Sequence, residues 1–228
     1  MHWLGMSAQS PATTVSCGTS ETELFTGVFT DAHWLYVYVT DAGSNAYVLY
    51  PQYSPDGTTW FEDVDYRPSL AAAAEGYLGF YGGFHVRAAG IKATGAENVS
   101  VHANIRYDPI EYKQVTTGAA ATVSCLTTAT VLHAGSNTEE VCDVVAVLIN
   151  DNGNSNALNI SVYLSDDQGT TYYFLRTVQV DTKLNRRAAI LVQNQGQRVK
   201  VTGIKTGSAE DVITTVIGRY PIDPSRTW

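Results

Sequence analysis

The chain has 228 residues, enough for one large domain or two ordinary ones, and its formal net charge is −8. Only 16% of the residues are charged, and no run approaches the roughly 20 apolar residues that span a bilayer. The negative charge argues against nucleic acid as a partner, because non-specific binding depends on neutralising phosphates. The lack of a long apolar run argues against a membrane partner.

Residues 1–11 are predicted to form an N-terminal arm. They contain no basic segment and no adequate apolar run, so they do not match a secretory signal, and we expect a protein made and folded in a cytoplasm. The cysteines Cys17, Cys125 and Cys142 are odd in number and lack metal-type spacing. We therefore expect free thiols packed in a core, and no metal or cofactor.

Strands are predicted beyond the arm by a period of two. Trp34, Tyr36 and Tyr38 alternate with aliphatic residues, which is typical of a strand with one buried face. Segments rich in Asp, Gly, Ser and Asn at 41–45 and 54–57 indicate tight turns between such strands. Many short strands separated by turns indicate an antiparallel β-sandwich.

The second half of the chain repeats the first. Five short matches occur in the same order, with an offset that drifts from 108 to 113 residues. They are 14–17 with 122–125, 57–60 with 169–172, 90–92 with 203–205, 96–97 with 209–210, and 106–107 with 219–220. The order of the matches predicts an internal duplication.

The predicted fold is therefore all-β, with two tandem antiparallel β-sandwich domains of the jelly-roll or immunoglobulin-like kind. The strand order inside each sandwich stays open. The predicted limits are an arm at 1–11, a first sandwich at 12–112, a polar linker at 113–119, a second sandwich at 120–224 and a tail at 225–228.

The sequence carries none of the common catalytic motifs. The sequence has no nucleophile elbow, P-loop, H-E-x-x-H or C-x-x-C motif, and its five histidines do not pair at ligand spacing. The turn at 151–154 offers oxygen atoms to calcium but lacks a bidentate glutamate. We expect a protein that is not an enzyme; whether a loop binds calcium or a glycan stays open.

The segment 53–60, Tyr-Ser-Pro-Asp-Gly-Thr-Thr-Trp, is followed by Phe-His-Val-Arg at 84–87. It resembles the S-x-D-G-x-x-W hairpin and the later apolar-Arg strand of phage virion β-sandwiches and some bacterial surface domains. Discoidin-like carbohydrate-binding modules carry a similar hairpin. The second unit keeps the motif at 165–172, with one residue inserted and tyrosine in place of tryptophan.

This resemblance implies a structural virion protein of a bacteriophage, assembled in the host cytoplasm. The implied roles are a head decoration or cement protein, a head fibre base, or a neck or tail accessory part. The implied partners are further copies of the chain and other virion proteins such as the major capsid protein.

The two predicted sandwiches differ in aromatic content, with 17 aromatic residues at 12–112 and 5 at 120–224. Trp34, Tyr36 and Tyr38 match Val144, Ala146 and Leu148 of the second sandwich. A strand with one aromatic and one aliphatic face has more apolar surface than a lone sandwich buries, and exposed aromatic surface marks contacts. We predict Trp34, Tyr36 and Tyr38 as interface residues; the alternative is packing against the sister unit or a loop.

Charge differs as well. Residues 12–112 hold 4 Lys and Arg against 12 Asp and Glu, a net of −8, and residues 120–224 hold 8 against 10, a net of −2. Arg186, Arg187 and Lys200 belong to a basic stretch, 176–205, with a single acidic residue. We predict that these three residues meet an acidic neighbour in the assembly; the alternative is a solvated face.

The competing hypothesis is a carbohydrate-binding or adhesion module. Aromatic side chains would then stack on sugar rings, and Trp60, Tyr66, Tyr77 and Tyr81 are the candidates. Sugar stacking requires that these residues converge in one exposed groove, whereas an assembly protein would bury aromatic residues against another subunit.

Overall fold

The computed structural model describes residues 7–107, 110–151, 156–180 and 187–222. Over these residues the chain is strands and turns, apart from a single turn of 3-10 helix at Asn137–Val141. It divides into two compact units, Met1–Lys113 with Pro221–Trp228, and Gln114–Tyr220. The all-β, antiparallel class predicted from the sequence is confirmed.

The first unit contains two antiparallel sheets. Its strands are β1 (Ser7–Gln9), β2 (Thr13–Cys17), β3 (Thr22–Val28), β4 (Ala32–Asp41), β5 (Tyr47–Ser54), β6 (Phe61–Asp63), β7 (Ser69–Leu70), β8 (Glu75–Tyr81), β9 (His85–Lys92) and β10 (Glu97–Tyr107). One sheet runs β10-β4-β8, with β1 and β2 both paired to β10. The other runs β3-β9-β5, with β6 and β7 both paired to β5.

Strands of the first unit alternate between these sheets as a jelly roll requires. Strands β2, β4, β8 and β10 form one sheet and β3, β5, β6 and β9 the other, so that most successive strands change sheet. The immunoglobulin-like alternative does not fit, because it places its strands A and B together in one sheet and D and E together in one sheet, whereas β2, β3, β4 and β5 change sheet at every step.

The second unit has the same plan. Its strands are β11 (Glu111–Cys125, which starts three residues before the unit), β12 (Thr130–His133), β13 (Val144–Asp151), β14 (Leu158–Ser165), β15 (Tyr173–Val180), β16 (Arg187–Gln193), β17 (Arg198–Lys205) and β18 (Glu210–Ile222). They pair in the orders β11-β18-β13-β16 and β12-β17-β14-β15. Strand for strand, these orders match β2-β10-β4-β8 and β3-β9-β5-β6.

Aliphatic side chains on alternate positions form the core of each unit. On β4, Leu35, Val37 and Val39 are fully buried while the intervening side chains are partly exposed. Strand β13 differs, because it is buried on both faces over most of its length. Its composition of Val, Ala, Leu and Ile suits a strand without a polar side.

Two features differ from the limits expected from sequence. The predicted linker, 113–119, lies inside β11 and continues its extended backbone; its valine and threonines favour a strand in spite of their polar neighbours. The predicted arm contains β1, which pairs with β10. Residues 1–6 of the arm and the predicted tail, 225–228, lie outside the described residues.

The three cysteines are buried, as predicted for thiols in a core. Cys17 ends β2 and Cys125 ends β11, so the two occupy equivalent places. Each sulfur lies against a glycine of the facing sheet: a Cβ added to Gly90 would be 3.3 Å from Cys17 Sγ, and one added to Gly203 would be 2.9 Å from Cys125 Sγ. The absence of a side chain at these glycines makes room for the cysteines.

Candidate interaction surface

The outer face of the β10-β4-β8 sheet carries a continuous group of rings. Because Leu35, Val37 and Val39 point into the core, the alternate side chains of β4 point outward. The antiparallel register places Trp34 opposite Tyr81 and Tyr38 opposite Tyr77, and it places Tyr38 opposite His102 on the other side. We call this group, Trp34, Tyr36, Tyr38, Tyr77, Tyr81 and His102, the aromatic face.

The rings of the aromatic face touch one another in sequence. The ring centroids of Trp34 and Tyr81 are 4.1 Å apart, and those of Tyr38 and His102 are 5.1 Å apart with planes within 10° of parallel. Tyr77 lies between Tyr36 and Tyr38, at centroid distances of 6.4 and 6.1 Å. Separations of this size are typical of stabilising aromatic pairs, so the rings form a preorganised surface.

This surface remains open to solvent within the chain. Tyr77 is 54% exposed, and the other rings are partly exposed. Tyr66, itself exposed, donates its hydroxyl to the carbonyl of Tyr77 at 3.3 Å and so lies beside the face. Gly79 faces Tyr36 across the strands and leaves the Tyr36 ring uncovered on that side.

Polar side chains of β10 line one side of the aromatic face. Asn104 is opposite Tyr36, and Arg106 is opposite Trp34. With His102, they add hydrogen-bond donors and acceptors next to the rings. An apolar centre with a polar margin is the usual anatomy of a protein contact surface.

The sequence analysis predicted an interface group and, as an alternative, a sugar-stacking group. The structure places most residues of both groups on one surface. The interface residues Trp34, Tyr36 and Tyr38 and the sugar-stacking candidates Tyr77 and Tyr81 share one surface, with Tyr66 beside it. The pairing of β4 with β8 brings them together, and this register could not be read from the sequence.

Trp60 does not join this surface, which corrects the predicted group of four sugar-stacking residues. It lies at the end of the loop between β5 and β6, and both of these strands belong to the other sheet. The guanidinium of Arg87 lies over its ring, 4.9 Å from the centroid. Lys200 stands in the same way 5.2 Å from the ring of Tyr172, so this cation–π contact recurs in both units.

The basic stretch at 176–205 does not form a single patch. Arg187 is exposed at the start of β16, whereas Lys200 covers two tyrosine rings and Lys205 is buried. Arg198 pairs with Glu140 at 2.7 Å. Successive residues of a strand point to opposite faces, which separates cations that are close in sequence; Arg186 lies outside the described residues.

The side chains of the hairpin motif stabilise a tight turn. Asp56 Oδ1 accepts hydrogen bonds from the backbone N–H groups of Thr59 and Thr58, at 2.7 and 2.8 Å, and these bonds hold its pKa well below the usual range. Gly57 adopts a φ of +76°, which glycine tolerates best. In the second unit, bonds from Thr171 and Ser165 lower the pKa of Asp167 to about 2.

A buried charged group occurs in each unit, and the sequence reading missed both. Lys92 Nζ lies 2.5 Å from Asp41 Oδ2 and 2.9 Å from Glu97 Oε2. Lys205 Nζ lies 2.5 Å from Asp151 Oδ2 and 2.7 Å from Glu210 Oε2. Both lysines and both glutamates fall inside repeat matches. The recurrence of these charged residues in both units could have pointed to a structural role for them.

No group of three or more His, Cys, Asp or Glu residues that could hold a metal ion occurs in the part of the chain that the structure describes. Most of the 151–154 turn considered for calcium falls outside that part. Among the same residues, no helix has the length and apolar character needed to cross a membrane.

No protein-family model and no curated protein matches the sequence. Among solved structures, the chain is similar to the PBSX exported protein XepA, with 8% identity, a TM-score of 0.35, and coverage of 94% of this chain and 87% of that one. It is similar to the major capsid protein P2 of bacteriophage PM2, with 8% identity, a TM-score of 0.32, and coverage of 95% and 100%.

A third similar structure is N-glycanase F, with 10% identity, a TM-score of 0.35, and coverage of 95% of this chain and 98% of that one. The weak structural neighbours thus include phage and virus capsid or exported proteins and also proteins that act on glycans. Likeness at this level does not assign the chain to a family.

Proposed function

We propose that the protein is a structural component of a bacteriophage virion that is not an enzyme. It decorates or cements the capsid, or forms a neck or tail accessory part, through protein–protein contacts. The aromatic face is the observation that carries this proposal. The jelly-roll plan of both units, an architecture used by viral capsid domains, and the resemblance of the hairpin at 53–60 to phage virion sandwiches support it.

Energetics favours a protein partner for the aromatic face. Each aromatic side chain that becomes buried removes about 150–250 Å² from water, and Trp and Tyr dominate the binding energy of protein interfaces. The first partner we propose is a second copy of the chain, and the next is another virion protein such as the major capsid protein. Arg187 and Lys200 contribute contacts to acidic surface.

The experiment is sedimentation velocity on the purified full chain. The wild type is expected to form a discrete oligomer, and the Trp34→Ser/Tyr36→Ser variant a smaller species with the same circular dichroism. Tyr173→Ser/Phe174→Ser is the matched control, because it removes two rings, 63% and 61% exposed, from β15 of the second unit, which has no part in the aromatic face.

Two results would contradict the proposed interface: a folded aromatic-face variant that keeps the wild-type oligomer, or a control variant that loses it equally. The virion assignment has its own test in the genes that flank the coding sequence. Capsid, portal or tail genes are expected there, and a flanking set of glycan-degrading enzymes would oppose the assignment.

A second function, carbohydrate binding, is favoured by one specific observation. Asn104, Arg106 and His102 place donors and acceptors beside exposed rings, as a sugar-binding surface requires. A glycan array probed with the full chain tests it, with Tyr77→Ala as the variant expected to lose binding. A wild-type chain that binds no glycan but assembles favours the structural role.

A further inference from the structure

The buried charged groups join the two sheets of each unit. Lys92 ends β9 in one sheet, and Asp41 ends β4 in the other. Both side chains are 0% exposed, and Lys92 Nζ lies 2.5 Å from Asp41 Oδ2. Lys205 at the end of β17 and Asp151 at the end of β13 repeat this arrangement with the same distance and burial. An amine and a carboxyl group are thus held in contact across each core.

A glutamate touches the amine in both units. Glu97 Oε2 is 2.9 Å from Lys92 Nζ, and Glu210 Oε2 is 2.7 Å from Lys205 Nζ. Glu97 is held in place because it also accepts hydrogen bonds from the backbone N–H groups of Ser44 and Asn45. The glutamates are 18% and 14% exposed, so each connects a buried pair to solvent.

The apolar surroundings of Lys92 disfavour a charged amine that has no charged partner. Lys92 Nζ lies 4.8 Å from the centroid of the buried Tyr47 ring, and Cys17 packs close by in the core. Burial alone lowers the pKa of Lys92, but its hydrogen bonds to Asp41 and Glu97 outweigh that effect and raise it. The Lys92 amine is therefore charged at rest, and a proton can pass from it to Asp41 across the 2.5 Å contact.

We propose that each buried lysine condenses with its aspartate, so that the mature chain carries two intramolecular amide bonds, Lys92–Asp41 and Lys205–Asp151, with Glu97 and Glu210 moving the protons. In this reaction the lysine first passes one proton to the aspartate. Nζ then attacks Cγ, and the new Nζ–Cγ bond forms as the Cγ–OH bond breaks.

Glutamate takes the second proton from Nζ and gives it to the departing hydroxyl, which leaves as water. One N–H remains on the amide and the glutamate is unchanged, so atoms and charges balance without an oxidant or a second reactant. Close fixed contact replaces the activation that amide formation needs in solution, because well-oriented groups reach effective molarities of roughly 10⁵ M or more.

The test is the intact mass of the full chain, measured after denaturation and reduction. The wild type is expected to be lighter than its sequence by two water molecules. Peptide mapping is expected to find two branched peptides, one joining Lys92 to Asp41 and the other joining Lys205 to Asp151.

The variants separate the two sites. Glu97→Gln is expected to be lighter than its sequence by one water instead of two. The first pair loses its proton carrier, whereas the second still reacts. Lys205→Arg cannot form the Lys205–Asp151 amide, so it is likewise expected to be lighter than its sequence by one water. Lys113→Arg, at an exposed position outside both groups, is the control and is expected to lack two waters like the wild type.

A folded wild-type chain with the full sequence mass overturns the proposal, because the pairs are then ion pairs only. A missing water that maps to Asp56-Gly57 or another site, with no branched peptide, overturns it as well. Neither outcome depends on whether a variant folds, since both are read on the wild type.

Discussion

The carboxylate of Asp167 accepts backbone hydrogen bonds from Thr170 and Thr171, at 3.1 and 2.7 Å, and a further one from the hydroxyl of Ser165. In the first unit, the carboxylate of Asp56 accepts the corresponding backbone hydrogen bonds from Thr58 and Thr59. These carboxylates stabilise the turn of the hairpin, and they do so only while ionised, since a protonated acid accepts such bonds poorly. Each of the two aspartates is therefore engaged by its own turn.

Acid should weaken this turn. The pKa of Asp167 is lowered to about 2 in the folded chain, below the roughly 3.9 of an unfolded aspartate. Its contribution is thus complete above about pH 4 and is lost as the pH falls toward about 2. In urea unfolding at pH 7 and pH 3, Asp167→Asn should destabilise the chain at pH 7 and less at pH 3.

Asp166→Asn is the matched control, because Asp166 is exposed beside the same turn. It should leave the free energy of unfolding nearly unchanged at both pH values. An Asp167→Asn variant as stable as the control at pH 7 would contradict the role given to Asp167.

The cysteines make a second prediction at this scale. Burial, with Glu139 and Asp143 nearby, raises the pKa of Cys142 to about 12, and burial also raises the pKa of Cys17 and Cys125. The thiolate is the reactive form, so the folded chain at pH 8 should resist iodoacetamide. Mass measurement should show three labels after denaturation; rapid labelling of the folded chain would contradict the burial described.

Strand β4 shows how one element serves two environments. Its inner side chains are aliphatic and fully buried, and its outer ones form half of the aromatic face. At the matching places on β13, Val144, Ala146 and Leu148 are buried instead. The same backbone therefore presents an open aromatic surface in one unit and a closed aliphatic one in the other.

Paired substitutions on β4 should separate the two faces. Leu35→Ala should cost about 2–5 kcal/mol in the free energy of unfolding, since it leaves a cavity in the core. Tyr36→Ala should cost about 0.5–1.5 kcal/mol, the value of its ring contacts. Urea unfolding at low protein concentration measures both, and equal costs would mean that Tyr36 belongs to the core.

The repeated contacts bear on the history of the whole chain. Both units contain the lysine–aspartate–glutamate group, the cysteine packed on a glycine and the cation over an aromatic ring, each at matching strand positions. We infer that the units descend from one ancestral jelly roll. Divergence is visible too, since Arg106 is exposed while Arg219 is buried, its Nε 2.9 Å from Asp143.

Common descent predicts parallel effects in the two units. A Cβ added at Gly90 would lie 2.9 Å from Leu24 Cδ1, and one added at Gly203 would lie 2.8 Å from Leu132 Cδ1. Gly90→Ala and Gly203→Ala should each destabilise the chain by about 1–3 kcal/mol through overpacking. Thermal unfolding measures this, and adding Cys125→Ala to Gly203→Ala should restore part of the loss.

If one substitution destabilised the chain and the other did not, the two packing sites would not be equivalent. The Gly43→Ala variant is a less suitable comparison, because its added Cβ meets Glu97 of the buried charged group. Gly79→Ala is the better control, since its Cβ would make only an ordinary contact, at 3.6 Å from Tyr36.

The repeat and the alternation on β4 were enough to predict an all-β chain of antiparallel sandwiches. The alternation is visible within one strand, and the repeat is visible as a nearly constant spacing between the two halves of the chain. The strand order, the meeting of Tyr77 with Tyr38 and the burial of Lys92 depend on which strands pair across long separations. Side-chain type alone also misplaced 113–119, where threonine and valine extend a strand through a polar segment.

The placement of Lys92 and Asp41 at the ends of their strands has a mechanical consequence. With these residues joined covalently, a force that pulls the chain apart would travel through the cross-link and bypass residues 42–91. The second pair would shield residues 152–204 in the same way. Such a chain could be stretched only along residues 1–41, 92–151 and 205–228, so the strands inside the two cross-linked segments would carry no load.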